Sequence, residues 1–256
     1  MLINFCFSQN TYEVALVEYE KGNAEKSIEI LNNSIENKIE LSNSYMLRGA
    51  IYTNLGKLIE AKKDLDKSKK MDSKNNQLYF FYARYYEKAQ DFDKALLNYN
   101  KSIKINRTNY LSYDGRAGIK ITKNDFIGAI EDEDVAIKLN SNVGLFFDNR
   151  GYAKFMLGRV KEAIKDFNSS IKIEPVAEVY DHRGSAYYEL GIYPEAINDF
   201  TKAIEMNLLT TDIFYYRGLA YKFSNQKSLA CQDFNKCIEM GFSNSYVIKC
   251  KTETCN

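Results

Sequence analysis

One unit of about 34 residues recurs seven times along this chain, and recurrence at that period limits the fold more than any other feature. The segments LRGAIYTNLG, NRGYAKFMLG, HRGSAYYELG and YRGLAYKFSN are copies of one another. Their small residues Gly49, Ala83, Ala117 and Gly151 lie 34 apart, Gly184 and Gly218 follow at steps of 33 and 34, and Ala15 heads a weaker first copy. With this small residue numbered as position 8, the units span 8–41, 42–75, 76–109, 110–143, 144–176, 177–210 and 211–244. An apolar segment, 1–7, precedes them, and a cap and tail, 245–256, follow.

Each unit reads as two helices. Val160, Ala163, Ile164, Phe167 and Ile171 follow i, i+3, i+4, i+7, i+11, a stripe that only a 3.6-residue period explains. Between the helices, position 15 is Gly22, Gly56, Gln90, Asn124, Gly158, Gly191 and Asn225, mostly residues that tolerate the left-handed conformation ending a helix. Position 20 is Ser27 and then Ala61, Ala95, Ala129, Ala163, Ala196 and Ala230. Position 27 is Ser34, Ser68, Ser102, Ala136, Ser170, Ala203 and Cys237. These small residues let helix backbones approach, and position 4 supplies bulk beside them as Tyr45, Tyr79, Tyr113, Phe147, Tyr180 and Phe214. Two prolines and thirteen glycines are too few for the many turns of a β-sandwich, and no run of eighteen apolar residues is present to span a membrane.

An aromatic at 4, small residues at 8, 20 and 27, an aromatic at 24 and proline at 32 is the pattern of the tetratricopeptide repeat, which this chain resembles from Ser8 to Asn244. Pro175 alone occupies position 32, Glu133 replaces the aromatic or leucine at position 24 of unit four, and Thr11 stands at position 4 of unit one. The resemblance implies an all-α fold, a right-handed α-solenoid of seven helix-turn-helix repeats. First helices would line a concave groove and second helices the convex back. No unit of that kind buries its apolar face alone, so stacking on neighbours stabilises it, and a short helix over Ser243–Lys251 would cap the open end.

Positions 7 and 23 vary together. Arg48, Arg116, Arg150, Arg183 and Arg217 occupy position 7 of five units, and Asp64, Asp132, Asp166, Asp199 and Asp233 occupy position 23 of the same five. Units without the arginine also lack the aspartate: Val14 goes with Ile30, and Tyr82 with Asn98. This concordance predicts a structural ion pair across each hairpin, where the guanidinium fork grips a carboxylate.

If the family geometry holds, positions 2, 5, 9 and 12 face the groove. Position 5 is Tyr12, Met46, Phe80, Asp114, Asp148, Asp181 and Tyr215; position 9 adds Arg84 and Tyr152, and position 12 adds Phe155 and Tyr188. Three successive aspartates flanked by aromatics form an acidic stripe suited to an extended peptide carrying Lys or Arg. Alternatively, these aspartates are merely solvated. The clamp with which some relatives hold acidic tails needs Lys, Asn and Arg, whereas this chain offers Tyr12, Leu16, Gln77 and Phe81, so such tails are not expected ligands. The expectation is a non-enzymatic interaction scaffold for a protein or peptide. An assembly solenoid without one dominant peptide ligand is the first alternative, and a single-stranded RNA binder the second. Thirty-five basic against 34 acidic residues leave a formal charge of +1, and a basic groove is missing, which argues against nucleic acid.

Other signals point nowhere catalytic. His182 is the only histidine, with no partner at metal-ligand spacing, and no cofactor is expected. Gly56-Lys57 lacks the Ser or Thr of a phosphate loop, since Leu58 follows. Glu131-Asp132-Glu133-Asp134 reads as a solvated helix face, with Asp132 as the arginine partner. MLINFCFSQ resembles the tail of a secretory leader, which implies a periplasmic or secreted protein; read as a plain apolar extension packed on helix one, it leaves a cytoplasmic location open. Cys231, Cys237, Cys250 and Cys255 cluster near the C-terminus. Cys231 and Cys237 are about 9 Å apart along one helix, too far to bridge each other, so a disulfide would join one of them to Cys250 or Cys255 in an oxidising compartment.

Overall fold

The computed structural model describes residues 11–242 and 245–255; the apolar segment 1–7 with Cys6, the start of the first unit at Ser8, and the Ser243-Asn244 junction lie outside them. Among the described residues there are fifteen α-helices and no strand, an all-α solenoid of helical repeats. The chain divides into two compact units, 1–119 and 120–256.

The first unit holds α1 (Thr11–Glu20), α2 (Ala24–Glu36), α3 (Leu41–Asn54), α4 (Leu58–Met71), α5 (Asn76–Lys88), α6 (Phe92–Ile105) and most of α7 (Tyr110–Thr122). The second holds α8 (Phe126–Leu139), α9 (Gly144–Met156), α10 (Val160–Ile173), α11 (Ala177–Glu189), α12 (Tyr193–Glu205), α13 (Thr211–Phe223), α14 (Lys227–Glu239) and α15 (Ser245–Cys255). Within each unit, consecutive helices form antiparallel hairpins that stack side by side. First helices touch directly: α1 on α3 on α5, and α9 on α11 on α13. Each second helix also packs on the first helix of the next repeat, as α10 does on α11 and α12 on α13.

The hairpin turn is set at position 15. All seven residues there have positive φ, from +60° at Gln90 and Asn225 to +85° at Gly22. Gln90 does so without the freedom of glycine, at a cost of about 1–2 kcal/mol. Side chains restart several helices: Asp91 accepts from the Lys94 N–H, Asp125 from that of Gly128, and Thr210 from that of Ile213.

Packing follows the small-against-large pattern. Every residue at position 20 is fully buried, and those at position 27 are at most 2% exposed. Position 24 inserts a large side chain between them: Leu31, Leu65, Tyr99, Phe167, Phe200 and Phe234 are all fully buried. Where position 8 is glycine the fit leaves no room for more: a Cβ on Gly151 would come within 2.7 Å of the Phe167 ring and one on Gly218 within 2.9 Å of Phe234. Serines at position 27 also bond: the Ser102 hydroxyl donates to the Asn76 carbonyl at 2.9 Å.

The acidic run on α8 departs from expectation. Asp132 and Glu133 are 3% and 0% exposed, because positions 23 and 24 both turn toward the packed side, while Glu131 and Asp134 face solvent. Glu133 fills the place of the usual aromatic and accepts from Asn149 at 2.9 Å. At the C-terminus, α15 runs to Cys255 rather than stopping at Lys251. Val247 and Cys250 pack on the last hairpin, a Cys231–Cys255 disulfide with Cα atoms 5.6 Å apart ties down the final turn, and Lys222 pairs with Glu253. Cys237 and Cys250 remain free, buried thiols.

Candidate functional site

In four of the five repeats the covarying arginine and aspartate meet. Arg48 grips Asp64 in bidentate fashion, Nε to Oδ2 at 2.6 Å and Nη2 to Oδ1 at 2.9 Å. Arg150 with Asp166, Arg183 with Asp199 and Arg217 with Asp233 repeat this geometry at 2.6–2.9 Å. Arg116 belongs to the first unit and Asp132 to the second, where Lys120 pairs with Asp132 at 2.8 Å. Each aspartate is almost wholly buried, and each guanidinium lies over the aromatic at position 4, as Arg183 does over Tyr180 at 5.6 Å. Lys154 adds a second cation to Asp166 at 2.7 Å.

A third bond was not visible in the pairing of positions 7 and 23. The remaining guanidinium nitrogen, Nη1, donates to position 25 of the preceding repeat: Arg48 to Asn32, Arg116 to Asn100, Arg150 to Asp134, Arg183 to Asn168 and Arg217 to Thr201, at 2.5–3.1 Å. Where tyrosine replaces arginine, Tyr82 donates to Asp66 at the same place. The arginine therefore joins two repeats as well as two helices. The signal lay in the sequence as an unbroken run of hydrogen-bond acceptors at position 25 before every such residue.

In the first unit, the groove candidates are mostly packing groups. Tyr12 packs beside Leu31 and Met46, and Phe80 meets Tyr99 at 6.1 Å. Arg84 pairs with Glu87 at 2.8 Å. Burial, with help from the Asp114 charge and against that of Arg84, raises the Glu87 carboxyl above its usual range. The Tyr99 hydroxyl lies fully buried near Arg84 and Glu87, makes no hydrogen bond of good geometry among the described residues, and fills space that Gly115 leaves by having no side chain.

The second unit corrects two readings. Asp148 is only 7% exposed, because the Nδ1–H of His182 donates to it at 2.9 Å from the next repeat. Asp148 is thus occupied within the chain and is not an open groove acid. Phe155 packs against Phe167 and Val179 and is likewise a core-facing residue. His182 is sandwiched by Tyr152 at 5.2 Å and Phe167 at 5.8 Å. Burial pulls its pKa down, but the Asp148 hydrogen bond and the charges of Asp148, Asp181 and Glu178 outweigh it and raise it above the ordinary value.

Asp181 differs from Asp148. It is half-buried on α11 and makes no hydrogen bond or ion pair among the described residues. Burial raises its carboxyl pKa, and Asp212 and Glu178 push it further, against the neighbouring His182. Tyr188 and Tyr215, half-buried on the same two helices α11 and α13, pack with one side against the cores that hold Phe200 and Phe234. An acid held in acidic surroundings can take up a cation. No group of three or more potential metal-ligating side chains occurs among the described residues.

Two family models described as tetratricopeptide repeat match, one at residues 42–75 and 77–109 and the other at 177–208. No curated relative matches the sequence. Solved structures are similar in fold. A chain of the APC/C hetero-tetramer Cut9-Hcn1 superposes with a TM-score of 0.78 at 17% identity, covering 94% of this chain but 48% of its own length, so this chain spans about half of it. PilF of Pseudomonas aeruginosa gives 0.76 at 15% identity, covering 84% of this chain and 98% of that one. YrrB, a TPR protein with an unusual peptide-binding site, gives 0.63 at 18% identity, covering 73% of this chain and 97% of that one.

Proposed function

The chain is a tetratricopeptide repeat protein, of a kind that generally serves as a scaffold for other proteins, and we propose that it binds without catalysis a partner segment carrying Lys or Arg along α11 and α13. Asp181 carries this reading: its carboxylate is half-buried, makes no ion pair among the described residues, and sits among the like charges of Asp212 and Glu178. A lysine or arginine from a partner would relieve that repulsion, and Tyr188 and Tyr215 would add contact area at little entropy cost. Asp148, held by His182, stays a structural group in this scheme. The peptide-binding site named for YrrB supports the idea that such repeats take peptides. The Cys231–Cys255 disulfide supports an oxidising compartment.

Affinity capture from the source cell, repeated with Asp181→Lys, tests the proposal. Charge reversal should lower partner capture by about tenfold or more, as truncating a central charged contact does. Undiminished capture by the variant would favour the assembly solenoid and defeat the peptide reading.

A further inference from the structure

Beyond the acids, α11 and α13 present an aromatic patch. On α11, Tyr188 lies seven residues past Asp181, about 10 Å along the axis. Its ring meets Tyr216 of α13 edge-on at 5.5 Å. Phe223, at the end of α13, stacks on Tyr193 of α12 at 5.2 Å and 22°, and Tyr188 also touches both. The four rings form one continuous cluster, of which Phe223 is 55% and Tyr216 38% exposed.

Repeat packing covers only part of Phe223. It stands at position 13, where the other units carry Glu20, Asn54, Lys88, Thr122, Met156 and Glu189, five of them polar. An exposed ring at a position that is otherwise mostly polar has another use than stacking hairpins. The two helices also agree in polarity. Asp181 and Asp212 lie in their N-terminal halves and the Tyr188 and Phe223 rings in their C-terminal halves, with Tyr216 one turn past Asp212.

We infer that this face reads an extended peptide with two anchors: a lysine or arginine at Glu178, Asp181 and Asp212, and an aromatic or large aliphatic side chain on Tyr188, Tyr216 and Phe223. A peptide in the extended polyproline II form advances about 3.1 Å per residue and returns to the same side every third residue, so a span of about 10 Å sets the anchors three residues apart. The inference rests on the proposed function and adds to it the second anchor and the spacing.

The test uses the full chain and labelled synthetic peptides with one lysine and one phenylalanine separated by zero to five serines, in both orders, read by fluorescence anisotropy. Affinity should peak at two intervening serines, about tenfold or more above the shortest and longest peptides. Phe223→Ser, a substitution at an exposed site, should erase that peak and leave the weaker lysine-dependent binding; Tyr216→Ser serves as a second variant if its melting temperature falls. Equal affinity at every spacing, or a peak that survives both variants, overturns the two-anchor inference while basic peptides still bind. Absence of any lysine-dependent binding defeats the proposed function as well. Self-association in sedimentation that Phe223→Ser abolishes, without peptide binding, would assign the patch to a second copy and overturn the inference too.

Discussion

Removing Arg183 should unsettle the chain more than any surface substitution, and the structure says by how much. Asp199 is 2% exposed at its side chain and receives two bonds of 2.8 Å from Arg183. Arg183→Ala strands that carboxylate, at a cost of about 3–5 kcal/mol. Asp199→Ala leaves a guanidinium that keeps Asn168 and the rings of Tyr180 and Tyr187, so about 2–3 kcal/mol is expected. The double variant removes both charges together and should cost little more than Arg183→Ala alone, a coupling of about 2–3 kcal/mol. Arg150 and Asp166 provide an internal comparison. Lys154 stays 2.7 Å from Asp166 after Arg150 is gone, so the coupling there should be about half as large. Urea unfolding of the four proteins in each cycle, with amide exchange across α11 and α12 as a local readout, measures both values. A coupling below about 0.5 kcal/mol at Arg183–Asp199, or a larger one at Arg150–Asp166, would refute the reasoning.

Four further outcomes follow from single sites. His182 has a raised pKa, so its contribution to stability is complete below the unfolded value of about 6.5 and fades as pH rises through the folded one. The melting temperature should therefore fall between pH 6 and pH 8, and His182→Gln should flatten that slope. The Cys231–Cys255 bridge closes a loop of 24 residues and should stabilise the oxidised chain by about 3 kcal/mol. Cys255→Ser should accelerate amide exchange in α15, and thiol counting after denaturation should find two more thiols once the protein is reduced. Tyr99→Phe removes a buried hydroxyl that makes no well-formed hydrogen bond among the described residues, so unfolding free energy from denaturant titration should stay level or rise by up to about 1 kcal/mol. Gly151→Ala places a methyl within 2.7 Å of Phe167 and should destabilise by about 1–3 kcal/mol in the same assay.

Period and packing pattern were legible in the residues because they are local and repeated. Seven copies of one spacing identify two helices per unit, the left-handed turn at position 15, and the small residues that must lie between backbones. The arginine–aspartate pair was legible for a related reason: two positions that change together in every copy report a shared contact. Contacts made only once carry no such redundancy. His182 reaching Asp148 across one repeat boundary, Gly115 yielding its space to Tyr99, and Cys231 pairing with Cys255 rather than Cys250 each depend on how particular side chains meet. So does the state of the three aspartates, which are equivalent in sequence. Asp148 was closed off by an imidazole and Asp181 was left among like charges, because a carboxylate's availability depends on which groups the neighbouring helix brings to it.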